Sequence, residues 1–263
     1  MRNKIKKILE KKNKSKIVCL TAYSKNISKI LDKYCDIILV GDSMANVLYG
    51  YENTHKITLE NIIQHTQSVK KGIKKSLLVV DMPIGSYKSK KIALKNAQKI
   101  IKKTGCDAVK IESNKKNFNI IETLVKKNIP VMGHIGFTPQ FKKRFKIEGN
   151  TKKKAELLLK EGMKIEKSGA FSIVLECLTP KASKQITNKL KIPTIGIGSS
   201  INCDGQVLVT DDMLGLSGFY PKFVKKYTNL KKIIENAVKK YTKEVKRNKF
   251  PSTKNFLNAT KSR

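Results

Sequence analysis

The 263-residue sequence lacks any apolar stretch approaching the ~20 residues that a membrane-spanning helix requires. Its longest apolar runs extend over only a handful of residues, which excludes a membrane-spanning protein of that kind. The N-terminus is basic but is followed by no apolar segment, so we expect no signal peptide. Because 40% of the residues are hydrophobic, the chain can still bury a substantial core.

Cysteine is scarce and never occurs as a C-x-x-C pair. The cysteines stand singly at Cys19, Cys35, Cys106, Cys177 and Cys203. Scattered single thiols in an odd number argue against a disulfide framework, so we expect reduced thiols and a cytoplasmic protein. A glycine-rich dinucleotide fingerprint and a P-loop are also absent, which removes the two commonest nucleotide-binding motifs.

Acidic residues are few, and the formal net charge is +36. The excess is almost all lysine, spread along the whole chain, with arginine only at Arg2, Arg144, Arg247 and Arg263. Specific nucleic-acid recognition favours the planar fork of arginine, so this distribution argues against a specific nucleic-acid partner. Weak adhesion to polyanions is expected from the lysine charge alone.

Short apolar runs recur along the sequence, and most are followed by a helical pattern. Candidate strands lie at 16–23, 37–40, 76–83, 107–112, 129–136, 171–177, 192–198 and 205–210. Eight β-then-α units at this length favour an α/β fold of the (β/α)8 TIM-barrel type. We predict a single domain over 1–263, with a lysine-rich lead-in at 1–15 and a loose tail at 251–263.

Charged side chains follow several of these runs at the point where the strand should end. The apolar run Ile37–Val40 leads into Gly41, which we expect to permit a sharp turn, and then into Asp42 and Ser43. The other strand ends carry Asp81, Glu112, His134 and Glu176. Because the carboxyl ends of barrel strands meet at one mouth, these side chains are predicted to converge there.

Asp42, Asp81 and Glu112 form an all-oxygen set of candidate metal ligands. Oxygen ligands suit Mg²⁺ or Mn²⁺, which keep positions open for water and substrate. Carboxylates held close together repel each other unless a cation neutralises them. The alternatives are that Asp81 only caps the following loop and that Glu112 is a surface charge; we favour one Mg²⁺ site.

Lys110 and Glu112 are two residues apart on one predicted strand, so both side chains point to the same side. A lysine inside a barrel must be paired or bind an anion, which makes Lys110 a candidate substrate ligand, with a Schiff-base role as the alternative. For His134 we favour a substrate-binding role over that of a core histidine. Glu176, apart from the metal set, is a candidate general base whose pKa burial would raise.

Six segments between Val18 and Tyr227, in order and without a large gap, resemble the signature segments of the ketopantoate hydroxymethyltransferase family. They are Val40–Ser43, Asp81–Tyr87, Val109–Glu112, Gly133–Gln140, Leu175–Cys177 and Ile195–Gly198. One short motif is weak evidence, whereas six in the right order are strong. The resemblance implies a barrel of the phosphoenolpyruvate/pyruvate superfamily.

The resemblance also implies an activity. The family transfers a hydroxymethyl group from 5,10-methylenetetrahydrofolate to 3-methyl-2-oxobutanoate, giving 2-dehydropantoate for pantothenate and coenzyme A synthesis. By motif position, Asp42, Asp81 and Glu112 would hold Mg²⁺ directly or through water, and Ser43 and Lys110 would bind the oxoacid with Asp42 and Asp81. The family further implies a homo-oligomer, usually a decamer.

The resemblance assigns the proton-acceptor role to Glu176, and all the proposed chemical residues are present, so we expect an active enzyme. Three stretches depart from the family pattern because a usual glycine is missing: Met44–Asn46, Phe141–Phe145 and Ser199–Ser200. The second lies in a long basic loop, 137–150, that we expect to cover the site. Two other hypotheses are a different metal-dependent C–C lyase or mutase of the same superfamily, and a polyanion-binding protein on a decayed enzyme scaffold.

Overall fold

Eight parallel strands close into a barrel in which each strand pairs with the next and the last pairs with the first. The computed structural model describes residues 2–142, 145–218 and 220–256. The strands are β1 (Ile17–Thr21), β2 (Ile37–Val40), β3 (Leu77–Asp81), β4 (Ala108–Glu112), β5 (Val131–Gly136), β6 (Ser172–Glu176), β7 (Thr194–Ile197) and β8 (Gly205–Leu208). The predicted (β/α)8 barrel is confirmed, and every predicted strand contributes to it.

Helices follow most strands and surround the barrel. They are α1 (Arg2–Glu10), α2 (Lys25–Leu31), α3 (Met44–Val47), α4 (Leu59–Lys70), α5 (Lys90–Thr104), α6 (Phe118–Lys126), α7 (Lys152–Lys167), α8 (Pro180–Lys189), α9 (Thr210–Met213) and α10 (Leu230–Lys246). Thr58 begins α4 as predicted, because its side chain accepts a hydrogen bond from the Asn61 backbone N–H. Gly105 ends α5 in the left-handed conformation, with φ 63°.

Alternate strand residues build two apolar layers. In β2, Ile37 and Leu39 belong to the cluster inside the barrel, whereas Ile38 and Val40 pack with the surrounding helices. All four are buried, as an unbroken apolar run predicts for a strand covered on both faces. Ile8 of α1 joins the inner cluster, so the lysine-rich lead-in forms a helix that closes the amino-terminal end of the barrel.

Three segments differ from the sequence prediction. The predicted loop after Ser43 contains α3, because Met44 and Ala45 bury their side chains in the core and draw this turn inward. Strand β8 ends at Leu208, and Thr210 begins α9. Within the predicted loose tail, Thr253–Asn255 form a 3-10 turn, and the part from 257 onward lies outside the described residues.

The outer wall of the barrel is incomplete at β8 and β1. Only the short α9 lies between β8 and the closing helix, and Val18 on the outer face of β1 is 46% exposed. Helix α10 buries none of its residues, although five apolar side chains project from it: Ile233, Ile234, Val238, Tyr241 and Val245. Among the described residues, no helix is long and apolar enough to span a bilayer.

Asp204, just before β8, links the segment after α1 to the start of β7. Its carboxylate accepts hydrogen bonds from the Thr194 backbone N–H at 2.8 Å and from Lys12 Nζ at 2.8 Å. Burial opposes ionisation of Asp204, but the hydrogen bonds from Lys12 and Thr194 outweigh it, so the pKa of this carboxyl lies below its usual value. The ion pair is nearly inaccessible, since Lys12 is 9% and Asp204 3% exposed.

We expect Asp204→Ala to lower the free energy of unfolding by about 3 kcal/mol at neutral pH, because it leaves the Lys12 ammonium buried without its partner. Denaturant unfolding measures the loss. A lowered carboxyl pKa adds stability above the unfolded-state pKa, and this stability is lost as pH falls through the native pKa, so the difference shrinks in acid. Glu122→Ala, which removes an exposed pair with Lys126, is the control and should leave the unfolding midpoint unchanged.

Candidate active site

The strand register places the predicted site residues beside one another at the carboxyl-terminal mouth of the barrel. Asp81, the last residue of β3, pairs in register with Lys110 of β4, and Glu112, the last residue of β4, pairs with His134 of β5. Register partners in a parallel sheet project from the same face. Lys110 Nζ therefore reaches Asp81 Oδ1 at 2.8 Å, with both groups buried.

Asp42 joins this row from just beyond β2. Its backbone N–H donates a hydrogen bond to Asp81 Oδ2 at 3.0 Å. A Cβ on Gly41 would lie 2.8 Å from Ser43 Oγ and 3.5 Å from Asp81 Oδ2. The chain turns directly after Gly41, as predicted, since the Met44 backbone N–H donates to the Gly41 carbonyl at 3.2 Å. The backbone of Gly41 is not in the left-handed region, so the turn itself does not require glycine.

Ser43 is held on the side of the site away from β4. Its hydroxyl lies 2.8 Å from the Tyr23 hydroxyl. The Tyr23 backbone carbonyl in turn contacts His65 Nδ1 at 2.8 Å, and His65 Nε2 lies 3.0 Å from the Tyr49 hydroxyl. This network holds the Ser43 hydroxyl in place. It also brings Tyr23 and His65 near the site, and the sequence interpretation gave neither residue a role.

His134 lies between two carboxylates. Its Nε2 is 3.1 Å from Glu176 Oε2, and its Nδ1 is 3.4 Å from Glu112 Oε1, although neither contact has the angles of a hydrogen bond. Glu176 is only partly buried, with 14% of its side chain exposed. A Cβ on Gly136, where φ is 99°, would collide with the Glu176 carbonyl, so this glycine permits the close approach of β5 to β6.

Gln140 connects the loop after β5 to the carboxylates. Its side-chain Nε2 donates to Asp42 Oδ2 at 2.8 Å and to the Met82 carbonyl at 3.1 Å. Its backbone N–H donates to Glu112 Oε2 at 3.0 Å, and the Tyr87 hydroxyl donates to its Oε1. Gln140 was missed as a functional residue, since a neutral amide in a loop carries no charge or periodicity signal. The contacts of Gln140 with Asp42 and Glu112 show that the start of the predicted 137–150 loop covers the carboxylates.

The electrostatics of the site follow from burial and crowding. Burial, reinforced by the neighbouring Asp81 and Glu112 carboxylates, raises the pKa of Asp42 well above its ordinary value. Burial also raises the pKa of Glu112 to about 7, against the opposing charge of Lys110. Burial disfavours the Lys110 ammonium, but the surrounding carboxylates outweigh this cost and raise its pKa.

The His134–Glu176 pair responds to the same burial. The pKa of His134 is lowered, first by burial and then by the Lys110 charge, so the imidazole is neutral near pH 7. Burial raises the pKa of Glu176, and the contact with His134 opposes that rise. A carboxylate of raised pKa next to a neutral imidazole is suited to accepting a proton near physiological pH.

The charges of the site fit a divalent cation. Asp42, Asp81 and Glu112 face the single ammonium of Lys110, which leaves two negative charges uncompensated when all three carboxylates are ionised. The donors are all oxygen, as Mg²⁺ prefers. Within the part of the chain that the structure describes, no three histidine, cysteine, aspartate or glutamate side chains surround one point closely enough for direct coordination, so the fit is one of charge and donor type.

The closed eight-stranded barrel defines the class of fold, which this chain shares with several solved structures of lyases, mutases and hydrolases. A phosphoenolpyruvate phosphomutase from Streptomyces platensis subsp. rosaceus matches with a TM-score of 0.64 at 10% identity, covering 97% of this chain and 91% of its own. A phosphonopyruvate hydrolase, whose structure contains oxalate and Mg²⁺, matches with a TM-score of 0.61 at 11% identity, covering 98% of this chain and 92% of its own. At such identities the likeness concerns the fold alone.

The family model of ketopantoate hydroxymethyltransferase matches residues 2–253, and the chain belongs to that family. The 3-methyl-2-oxobutanoate hydroxymethyltransferase of Pelagibacter ubique is 52% identical over 97% of this chain and 99% of the relative. The enzyme of the same name from Thermotoga maritima is 46% identical over 94% of each chain. The predicted family is confirmed, and the alternative of another lyase or mutase of the superfamily is not favoured.

We expect Lys110→Met to lower the free energy of unfolding of the metal-free protein by about 3 kcal/mol at pH 8, since it leaves buried carboxylates without their ammonium partner. The raised Lys110 pKa means that its stabilisation is fully present below the unfolded-state pKa of about 10.4. At pH 5.5 the loss should be smaller, because Glu112, whose pKa is about 7, then takes up a proton. Denaturant unfolding at both pH values tests this, with exposed Lys102→Met as control; equal losses at both values would contradict it.

Proposed function

We propose that this protein transfers a hydroxymethyl group from 5,10-methylenetetrahydrofolate to 3-methyl-2-oxobutanoate, forming 2-dehydropantoate. The observation that carries the proposal is the buried row from Asp42 to Glu176, in which acidic groups, one ammonium and one imidazole share the barrel mouth. Family membership supports it. The free, buried thiols of all the cysteines support a cytoplasmic location.

In this proposal Asp42, Asp81 and Glu112 would hold Mg²⁺, directly or through water. Asp42 keeps one carboxylate oxygen on Gln140, which leaves the other for an ion. When bound, Mg²⁺ supplies a Lewis acid that polarises the keto group of the oxoacid. Ser43 and Lys110, with the two aspartates and His134, bind and orient the oxoacid.

The protein's own residues then perform the proton transfer. Glu176 takes the proton from C3 of the oxoacid, with the His134 imidazole 3.1 Å from its carboxylate. Lys110 Nζ stabilises the negative charge that develops on the keto oxygen. Water hydrolyses the folate's methylene bridge: both C–N bonds break, the oxygen stays on the carbon and the two water protons go to the nitrogens. The carbanion adds to that carbon, which is at the oxidation level of formaldehyde, and the resulting alkoxide takes the proton held by Glu176. Tetrahydrofolate is the other product.

Glu176→Gln tests this assignment. We expect exchange of the C3 hydrogen of 3-methyl-2-oxobutanoate with deuterated water to fall by about 10²-fold or more, because the amide cannot accept the proton. Loss of the C3–H signal in the NMR spectrum, with Mg²⁺ present, measures the rate, and calorimetry should show that oxoacid binding persists. Exposed Glu156→Gln is the control for the change of charge.

The same exchange should depend on pH. The base must be ionised, so exchange is present above the native pKa of Glu176 and is lost as pH falls through it. Because burial raises this pKa, the acid limb should lie above the ordinary glutamate value of about 4.3. Exchange that survives in Glu176→Gln would contradict the role of Glu176.

We further propose that the protein is a homo-oligomer, a decamer by family resemblance. Helix α10 supports this, because none of its residues is buried within one chain while its apolar side chains, Ile233 and Val238 among them, are exposed. Light scattering coupled to size exclusion should give a mass several times that of one 29.7-kDa chain. Ile233→Asp with Val238→Asp should reduce that mass, whereas a monomeric parent protein would contradict the proposal.

A further inference from the structure

A cavity of about 780 Å³ opens beside the carboxylate row at the same mouth of the barrel. Its walls come from the loops that follow β3, β4 and β5, the strands that carry Asp81, Glu112 and His134. The mechanism above uses none of the residues that line it. Because the cavity adjoins the carboxylates, it can hold a part of a substrate that does not react.

Tyr87 forms a wall common to the cavity and the active site. It lines the cavity, while its hydroxyl donates to Gln140 Oε1 on the other side. Gln140 in turn donates to Asp42. Two hydrogen bonds therefore separate the cavity from the proposed metal ligand, so a ligand whose reacting end lies at the carboxylates can extend into the cavity.

The lining of the cavity carries charge of one sign. It includes Lys88, Lys90, Lys91 and Lys116 and no aspartate or glutamate. Among the described residues none of these lysines forms an ion pair. The charge of Lys90 reaches Glu122 only at longer range, and Glu122 pairs with Lys126 at 2.6 Å. The cavity thus offers unpaired cations to an anionic group.

Aromatic rings stand between the lysines and the site. The rings of Tyr87 and Phe141 meet edge to face, with centroids 6.4 Å apart. Phe141 is 41% exposed, so it can cover a further ring that enters the cavity. From the carboxylates outward, the polar site is followed first by the aromatic rings and then by the lysines. This order fits a ligand whose reacting end is followed by an aromatic ring and then by a chain that carries carboxylates.

We propose that this cavity binds the p-aminobenzoyl-glutamate portion of the folate co-substrate, with the tail carboxylates on Lys88, Lys90, Lys91 and Lys116. The inference rests on the proposed function, because it concerns the co-substrate of that reaction. It adds a specificity: folates with several γ-linked glutamates bind more tightly than the monoglutamate, since each added glutamate brings another carboxylate to the lysines.

The test compares mono- and triglutamyl 5,10-methylenetetrahydrofolate as co-substrates at low ionic strength. We expect a KM about 5-fold lower for the triglutamate in the parent protein, given the modest strength of partly exposed ion pairs, and a smaller ratio as salt screens the charges. A variant with Lys88, Lys90, Lys91 and Lys116 all replaced by Gln should lose the difference between the two co-substrates.

The control removes the same charge from the opposite end of the barrel. It replaces Lys6 and Lys7 of α1, Lys102 at the end of α5, and Lys127 just after α6 by Gln, all of them exposed. This variant should keep the parent's KM ratio, and thermal unfolding should show both variants folded. Equal KM values for the two folates in the parent protein, or equal loss of the ratio in both variants, would overturn the inference alone. Absence of turnover with either folate would contradict the proposed function and the inference with it.

Discussion

The constraint on which the site depends is the burial of three carboxylates against one ammonium. Asp42, Asp81 and Glu112 lie within a barrel mouth that leaves each of them 5% exposed or less, and among the described residues Lys110 is the ammonium that pairs with them. Burial disfavours the ionised carboxylates and their neighbours add repulsion, so the pKa values of Asp42 and Glu112 are raised. Buried carboxylates that destabilise the folded protein are suited to bind a cation, together with a substrate whose reaction requires that cation.

The strand register of the barrel places the site residues next to one another. Register pairs Asp81 with Lys110 and Glu112 with His134, so neighbouring strands bring opposite or complementary groups together without any special loop. The loop after β5 then adds Gln140, whose side-chain amide and backbone N–H cap one oxygen each of Asp42 and Glu112. Because Tyr87 fixes the orientation of that amide, the carboxylates are held in place by neutral donors, and their remaining oxygens are left for an ion or substrate.

The strand-end groups could be predicted from the sequence because they follow apolar runs, and in a parallel barrel that position alone brings them to one mouth. Asp81, Glu112 and His134 are such groups. The barrel itself could also be predicted, from the recurring apolar runs. Gln140, Tyr87 and Tyr23 could not be assigned roles, since their partners lie between 20 and 98 residues away in the chain and only the folded loops bring them together. The close approach of the Ser43 hydroxyl to Gly41 could likewise not be predicted, because it depends on how the turn after β2 folds.

The measurement that tests the central claim most directly is a coupled assay of 2-dehydropantoate formation from 3-methyl-2-oxobutanoate and 5,10-methylenetetrahydrofolate. The purified protein is assayed with Mg²⁺, after treatment with EDTA, and after Mg²⁺ is restored. The buried acidic site predicts product formation that EDTA abolishes and Mg²⁺ returns. Product formation that continues unchanged in EDTA would contradict the role given to the carboxylates, and absence of product under all three conditions would contradict the proposed activity.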